Sequence, residues 1–215
     1  VGRYVVRRLI QAIPLLIPLR IAGGYSDRET LLADLVAIVN AECRALAEAG
    51  ADFIQIDEPN YAMYRGSLPE LAKVFNRVVD GVRAKVALHI CFGNLYGRPF
   101  PAARSYRHLF PAIHEVRAQQ ILLEFANRGM EDAALWKDFP TDKELGAGVI
   151  DVKAFKAESA QDVAARIRML LQSVPPAQLW INPDCGFWET PRWITQQKLR
   201  AMVEGTHLVR KELGG

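Results

Sequence analysis

Cysteine is scarce in this sequence: Cys43, Cys91 and Cys185 are the three that occur among 215 residues. Three widely spaced cysteines cannot all pair with one another, so they do not form the disulfide framework of a small secreted domain. We therefore predict that the protein works in a reducing cytoplasm, where its thiols stay free for packing or for chemistry.

Long basic runs and long apolar runs are also missing. The formal net charge is only +3, and no lysine or arginine cluster forms a patch that would bind nucleic acid. The apolar stretch near the N-terminus is interrupted by Pro14 and Pro18 and ends at Arg20, so it is too short to span a bilayer as a helix. With 50% hydrophobic and 24% charged residues, the composition is that of a globular protein that needs neither nucleic acid nor membrane.

Apolar runs alternate with amphipathic helical stretches along the chain. The runs are continuous rather than alternating, which is typical of a parallel sheet covered by helices. Ser159 and Asp162 form a predicted N-cap for one of the helices. The predicted strands are 15–21, 52–58, 85–91, 120–125, 146–153 and 178–184, and the predicted helices are 27–50, 68–82, 104–116, 131–137, 159–174 and 191–213, after a short N-terminal helix.

Repeated strand–helix units allow either an open doubly wound sheet or a closed (β/α)₈ barrel of the TIM type. No glycine-rich phosphate loop follows the first predicted strand, which disfavours a nucleotide-binding sheet. We predict an α/β fold in which residues 1–215 form a single barrel domain. Six strands are fewer than the eight a barrel needs, and the chain starts with Val1, so we expect the N-terminal strands to be missing.

Polar and reactive residues stand where the predicted strands end. In proteins built of βα units the functional groups gather at the carboxyl ends of the strands, so we expect these side chains to lie on one side of the sheet. The candidates are Asp57, Glu58, His89, Cys91, Asn94, Glu124, Asp151, Lys153, Asp184 and Cys185.

The stretch LHICFGN at 88–94 places His89 and Cys91 two residues apart, so both can point to the same face of a strand. With Glu124 and Cys185 from two other strand ends, they offer one imidazole, two thiolates and a carboxylate. That donor set suits Zn²⁺, which accepts nitrogen, sulfur and oxygen ligands in tetrahedral geometry. The alternative is a pair of core cysteines, a buried imidazole and a glutamate in an ordinary salt bridge.

Five segments together resemble the cobalamin-independent methionine synthases, and most closely the shorter proteins that correspond to the catalytic C-terminal barrel of that enzyme. The segments are FIQIDEPNYA, LHICFGN, LLEF, GVIDVK and INPDCGF, and the resemblance extends from about Asp27 to the C-terminus. It implies a (β/α)₈ barrel. It also implies a zinc ion bound by His89, Cys91, Glu124 and Cys185.

The resemblance further implies that Asp57, in the IDEP motif, contacts the amino group of a thiol amino acid. A carboxylate that faces a buried ammonium makes a charge-assisted hydrogen bond, which gives this contact a physical reason. Glu58 and Asn94 are further candidates for substrate binding, and capping of a turn is the alternative for Asn94.

Asp151 and Lys153 are candidates for catalysis on the side of the methyl donor. Methionine synthases have YDIHSP where this chain has IDVKAF, so Asp151 matches and Lys153 replaces a histidine that is thought to deliver a proton to the folate leaving group. A lysine ordinarily titrates near 10. The sequence therefore leaves the donor open between a folate and a corrinoid.

These features predict a zinc-dependent methyltransferase that methylates the thiol of homocysteine to give methionine. One alternative is alkylation of another thiol, as in the epoxyalkane:coenzyme M transferases, which look like relatives. Others are a metal-free barrel like that of the uroporphyrinogen decarboxylases and a non-catalytic fragment or binding module. Whether the protein forms homo-oligomers stays open at this stage.

Overall fold

The structure is a computed structural model of the 215-residue chain. The residues it describes are 10–11, 25, 27–63, 68–94, 97–98, 105–110, 112–138 and 141–215.

A parallel six-stranded sheet organises these residues, and its strands follow one another in chain order. The strands are β1 (Ile10–Gln11), β2 (Phe53–Asp57), β3 (Lys85–Ile90), β4 (Gln120–Glu124), β5 (Glu144–Ile150) and β6 (Leu179–Pro183). The α-helices are α1 (Arg28–Glu48), α2 (Asn60–Met63), α3 (Leu68–Val78), α4 (Leu135–Asp138), α5 (Ala160–Leu170) and α6 (Arg192–Glu212), and the short 3₁₀ helices are Arg107–Leu109, Ala112–Glu115, Ala126–Arg128 and Pro176–Gln178.

The strand order confirms the predicted α/β fold with a parallel sheet. A doubly wound sheet reverses its strand order at a switch point, and the described strands contain no such reversal. Because parallel crossovers are right-handed, sequential strands place their helices on one face of the sheet. The sheet is open over the described residues, since β1 and β6 do not pair with each other.

Burial varies across the sheet. Strands β3, β4 and β5 are buried almost throughout, as their continuous apolar runs predict. Strand β2 alternates between buried and half-buried residues, and β6 has no fully buried residue. The centre of the sheet therefore lies in the core, whereas β6 lies at its edge.

Several predicted elements differ from the structure. The predicted strand 15–21 lies outside the described residues, and Ile10–Gln11, expected in a helix, pairs with β2 as a strand. The described part of the predicted helix 104–116 forms two 3₁₀ helices, and the predicted helix 131–137 begins as turns before α4. The Ser159–Asp162 capping box at the start of α5 is confirmed, with each side chain bonded to the other's backbone amide.

Helices α5 and α6 approach each other closely at Gly205. A methyl group at this position would lie 2.6 Å from the Ala160 carbonyl oxygen and 2.6 Å from Val163 Cβ. We predict that Gly205→Ala destabilises the protein by about 2 kcal/mol, since overpacking against backbone forces the helices apart. Thermal unfolding measures the change, and Glu204→Ala at an exposed position of the same helix should alter stability by less than about 0.5 kcal/mol. Equal effects of the two variants would contradict close packing at Gly205.

The register brings the carboxyl ends of the strands to a common level. Asp57 is the partner of His89 across β2 and β3, and Glu124 is the partner of Gly148 across β4 and β5. Asp184, directly after β6, donates its amide to the Ile150 carbonyl at 2.9 Å. The predicted site residues from five strands therefore share one edge of the sheet. Within the described part of the chain, no helix is long and apolar enough to cross a membrane.

Candidate metal centre

One nitrogen and two sulfur donors meet at the carboxyl edge of the sheet. The ligand atoms of His89, Cys91 and Cys185 all lie within 4.8 Å of one another. His89 lies within β3 and Cys91 directly follows it, while Cys185 comes from the turn after β6. His89 and Cys91 are buried and Cys185 is half-buried. The H-x-C spacing thus places both side chains on one face of β3, as the two-residue period requires.

Electrostatics in this cluster favour a thiolate. The neighbouring Cys91 thiol is the main cause that holds the pKa of Cys185 well below its usual range, against the effect of burial. The same interaction and burial raise the pKa of Cys91. Burial disfavours the His89 imidazolium, but the Cys185 sulfur outweighs it and raises the pKa of His89. Negative charge therefore collects on sulfur, which is the form that binds metals.

The imidazole of His89 has unused bonding capacity. Its side chain is buried, and neither ring nitrogen makes a well-oriented hydrogen bond to the residues that the structure describes. A buried polar atom that lacks a partner is costly, so such an atom calls for an explanation. A metal ion held together with the two sulfurs would provide the missing partner.

Glu124, the fourth predicted ligand, lies beside this cluster but is not within it. Its Oε1 accepts a hydrogen bond from Lys153 Nζ at 2.6 Å, and its Oε2 accepts one from the Phe92 amide at 3.3 Å. Burial raises the pKa of Glu124, while the Lys153 ammonium acts in the opposite direction. The salt bridge considered as an alternative for this glutamate is therefore present.

The three predicted substrate-binding residues belong to the strand end and the loop next to the cluster. Asp57 is half-buried, and its Oδ1 accepts a hydrogen bond from Gln55 Nε2 at 2.9 Å. Burial raises the pKa of the Asp57 carboxyl, and His89 opposes this shift. Glu58 is buried and follows Asp57 in the chain. Asn94 Nδ2 donates to the Gly186 carbonyl at 2.8 Å and thereby joins the loop after β3 to the turn after Cys185.

Asp151 and Lys153 belong to the loop that follows β5. Asp151 accepts hydrogen bonds from Asn127 Nδ2 at 3.1 and 3.2 Å and from the Lys153 amide at 2.8 Å. The Lys153 side chain is 2% exposed, and its ammonium points to Glu124. The lysine therefore faces the metal-ligand candidates, whereas Asp151 faces Asn127.

Asp184 holds the strand ends together, a role that sequence reasoning missed. Its carboxylate is fully buried and accepts hydrogen bonds from three consecutive backbone amides, at 3.0, 3.0 and 2.7 Å. The donors are Phe125, Ala126 and Asn127. Burial and the nearby Glu124 raise the pKa of Asp184 to about 7, against the effect of these donors.

Asp184 fits against β5 because the residue that it contacts there, Gly148, has no side chain. A methyl group on Gly148 would lie 2.2 Å from Asp184 Oδ1 and 2.7 Å from its Cα, so only glycine fits there. Tyr106 makes a second link between strand ends, because its hydroxyl donates to the Ile90 carbonyl and accepts from the Glu124 amide at 2.7 and 2.9 Å. The PDC triplet at 183–185 could have drawn attention to Asp184, because it directly precedes a predicted ligand. Tyr106 lies in a loop without a recognisable motif, so its role could not be predicted.

Comparison with known proteins identifies the family. Residues 22–207 match the family model described as cobalamin-independent synthase, catalytic domain. A methionine synthase of Saccharolobus islandicus is 40% identical over 189 residues, which cover 88% of this chain and 54% of that protein. One from Sulfurisphaera tokodaii is 36% identical over 189 residues, 88% of this chain and 52% of that protein. The chain thus spans about half the length of the curated relatives it matches.

A solved structure is similar as well. The B12-independent methionine synthase from Shewanella sp. W3-18-1, solved in complex with selenomethionine, is 29% identical, with a TM-score of 0.79. The alignment covers 88% of this chain and 57% of that one. The predicted family is confirmed by the family model, by sequence identity and by structure: this chain belongs to the cobalamin-independent methionine synthase catalytic-domain family.

Proposed function

We propose that this chain carries the zinc site of an enzyme that transfers a methyl group to the thiol of homocysteine, giving methionine. The observation that carries the proposal is the convergence of His89, Cys91 and Cys185 at the carboxyl edge of the sheet. Family membership supports the reaction, because the similar proteins from Saccharolobus islandicus and Shewanella are methionine synthases. The sheet would then be part of a (β/α)₈ barrel to which the whole chain belongs as one domain.

The side chains of the cluster are of the types that bind zinc. Zn²⁺ prefers sulfur and imidazole ligands, and the cluster has two sulfurs and a buried imidazole whose ring nitrogens make no well-oriented hydrogen bond to the described residues. Glu124, beside the cluster, would supply a fourth, oxygen donor. Zinc bound by these residues would supply a Lewis acid that lowers the pKa of a substrate thiol. Since a carboxylate oxygen is the weakest match to the metal among the four donors, Glu124 would be the ligand that the substrate thiol replaces.

The remaining residues would bind and orient the substrate. Asp57 would hold the ammonium of homocysteine, and Glu58 and Asn94 would line the same pocket. The substrate thiolate would attack the methyl group of the donor in line. The new S–C bond would form as the bond between methyl and donor breaks, the electron pair of that bond would leave with the donor, and a donor-side acid would protonate the nitrogen of a folate donor. Asp151 and Lys153 stay candidates for the donor side in this proposal, although the Lys153 ammonium is bonded to Glu124. The donor itself is tested by supplying either a methyl folate or a methylated corrinoid.

The thiol acceptor is tested by proton release in the zinc-loaded protein. Homocysteine is compared with 4-mercaptobutyrate, which has the same thiol and carboxylate but lacks the amino group. We expect each bound thiol to release about one proton to the buffer when zinc is present. Homocysteine should bind roughly 10- to 100-fold more tightly, as expected for a charge-assisted hydrogen bond to Asp57.

The Asp57→Asn variant should remove most of that preference, because an amide lacks the negative charge. Asp52→Asn, an exposed position just before the same strand, serves as the matched control and should retain the preference. Calorimetric titration in two buffers with different ionisation enthalpies gives both the affinity and the number of protons. Equal binding of the two thiols by the unmodified protein would argue against homocysteine, and absence of zinc binding would overturn the metal site itself.

A further inference from the structure

Lys153 and Glu124 form a buried ion pair next to the metal-ligand cluster. The distance from Lys153 Nζ to Glu124 Oε1 is 2.6 Å, and the two side chains are 2% and 0% exposed. Glu124 ends β4, and Lys153 belongs to the loop after β5. Because the pair is shielded from water, its attraction is stronger than that of a surface salt bridge.

The two oxygens of Glu124 have different surroundings. Oε1 belongs to the ion pair, whereas Oε2 accepts a long hydrogen bond of 3.3 Å from the amide of Phe92, the residue after Cys91. The carboxylate therefore reaches from the lysine toward the cluster of His89, Cys91 and Cys185. One carboxylate oxygen is paired with a cation of the protein, and the other is bonded to the backbone directly after Cys91.

The position of Lys153 is determined by a buried lysine of α6. Lys198 is fully buried, and its ammonium donates to the carbonyls of Asp151 and Lys156 at 2.9 and 2.6 Å and to Glu158 Oε2 at 2.9 Å. Glu158 Oε1 in turn accepts from the Asp151 amide at 2.9 Å. These bonds enclose the segment on both sides of Lys153, so its ammonium is held in place before any ligand binds.

We propose that Lys153 is a positioning residue that keeps Glu124 a weak, replaceable ligand of the metal. The inference rests on the proposed function, because it requires metal binding at this cluster. An ammonium that already neutralises the carboxylate reduces the attraction between that carboxylate and a second cation. His89, Cys91 and Cys185 would then hold the metal, and Glu124 would give way to the substrate thiol at little cost in free energy.

The first test is the metal affinity of Lys153→Met. Loss of the ammonium frees the carboxylate, so affinity for Zn²⁺ should rise about tenfold or more, measured by competition with a chromophoric chelator. Binding of homocysteine should weaken by a similar factor, because a stronger oxygen ligand must be displaced. The absorption spectrum of the Co²⁺-loaded protein gives an independent readout, since it reports on the ligands without any turnover. Lys156→Met, an exposed lysine of the same loop, is the control and should leave both affinities unchanged.

A double-mutant cycle separates action through Glu124 from simple repulsion between Lys153 and the metal. In the Glu124→Gln background, Lys153→Met should change the metal affinity by less than about twofold if the lysine acts through the carboxylate. A full gain in that background would overturn the proposal in favour of repulsion. The Glu124→Gln and Lys153→Met pair is also neutral overall and avoids an unpaired buried charge.

A second variant, Lys153→Gln, tests the proposal if Lys153→Met does not fold. Glutamine retains an N–H donor for Glu124 but has no charge. It should raise the metal affinity in the same direction as Lys153→Met. Unchanged metal affinity and Co²⁺ spectrum in a folded Lys153→Gln protein would overturn the proposal. If the unmodified protein binds neither Zn²⁺ nor Co²⁺, the proposed function fails first, which distinguishes the two failures.

Discussion

Replacement of Cys185 by serine should lower the affinity of the protein for Zn²⁺ roughly 100- to 1,000-fold, because a four-ligand zinc site shares about 10–16 kcal/mol among its ligands. A serine hydroxyl stays protonated at neutral pH and is a poor substitute for a thiolate. The effect is large at Cys185 in particular, because the Cys91 thiol and His89 already lower the pKa of its sulfur. Competition with a chromophoric chelator measures the affinity, and zinc content after dialysis gives a second readout.

Cys43 provides a matched control for the same chemical change. It is fully buried in α1, belongs to the hydrophobic core and is not among the residues of the cluster. Burial raises the pKa of its thiol to about 11, so this sulfur is a protonated packing group. Cys43→Ser should therefore leave the zinc affinity within about twofold while lowering thermal stability. Equal loss of zinc in both variants would mean that the loss reflects unfolding.

Replacement of Asp184 by alanine should destabilise the folded protein by about 3 kcal/mol or more, since buried amides that lose their acceptor keep the whole desolvation cost. Three amides, those of Phe125, Ala126 and Asn127, lose their partner at once. Denaturant unfolding of both proteins at one fixed pH measures the loss, because the pKa of Asp184, raised to about 7, makes the stability of the unmodified protein fall as the pH rises from about 4 to 7. Asp184→Asn keeps one acceptor oxygen and should lose less stability than Asp184→Ala.

The Asp184 variant also tests how the site is built. Asp184 precedes Cys185 and binds the backbone that follows Glu124, so its loss should weaken zinc binding as well as stability. Asp142→Ala, at an exposed loop position before β5, is the control and should change stability by less than about 0.5 kcal/mol. Destabilisation without any change in zinc affinity would restrict Asp184 to a structural role away from the metal.

Much of the site could be predicted from local sequence. The two-residue period of a strand places His89 and Cys91 on one face, and the register of β2 with β3 puts Asp57 beside His89. Cys185 follows an apolar strand in the same way. In a parallel sheet all strand ends meet at one edge, so short motifs separated by many residues could be assigned to one place.

The turns and short helices were less predictable. The segment around 104–116 has apolar residues with helical spacing, yet its described part forms 3₁₀ turns that bring Tyr106 under the ends of β3 and β4. Local spacing contains no information about a hydroxyl that links two strands. Tertiary packing overrode the helical tendency of this segment.

The fold class, the family and the donor types at the strand ends could be predicted from the sequence, because apolar periodicity, strand-end motifs and residue chemistry are local properties. The contacts of those donors, in contrast, depend on the tertiary structure. Lys153 points toward Glu124 rather than toward solvent, because its loop is hydrogen-bonded to Lys198 of α6. The path of a loop and the direction of its side chains depend on packing against elements distant in the chain, and no short pattern encodes that packing.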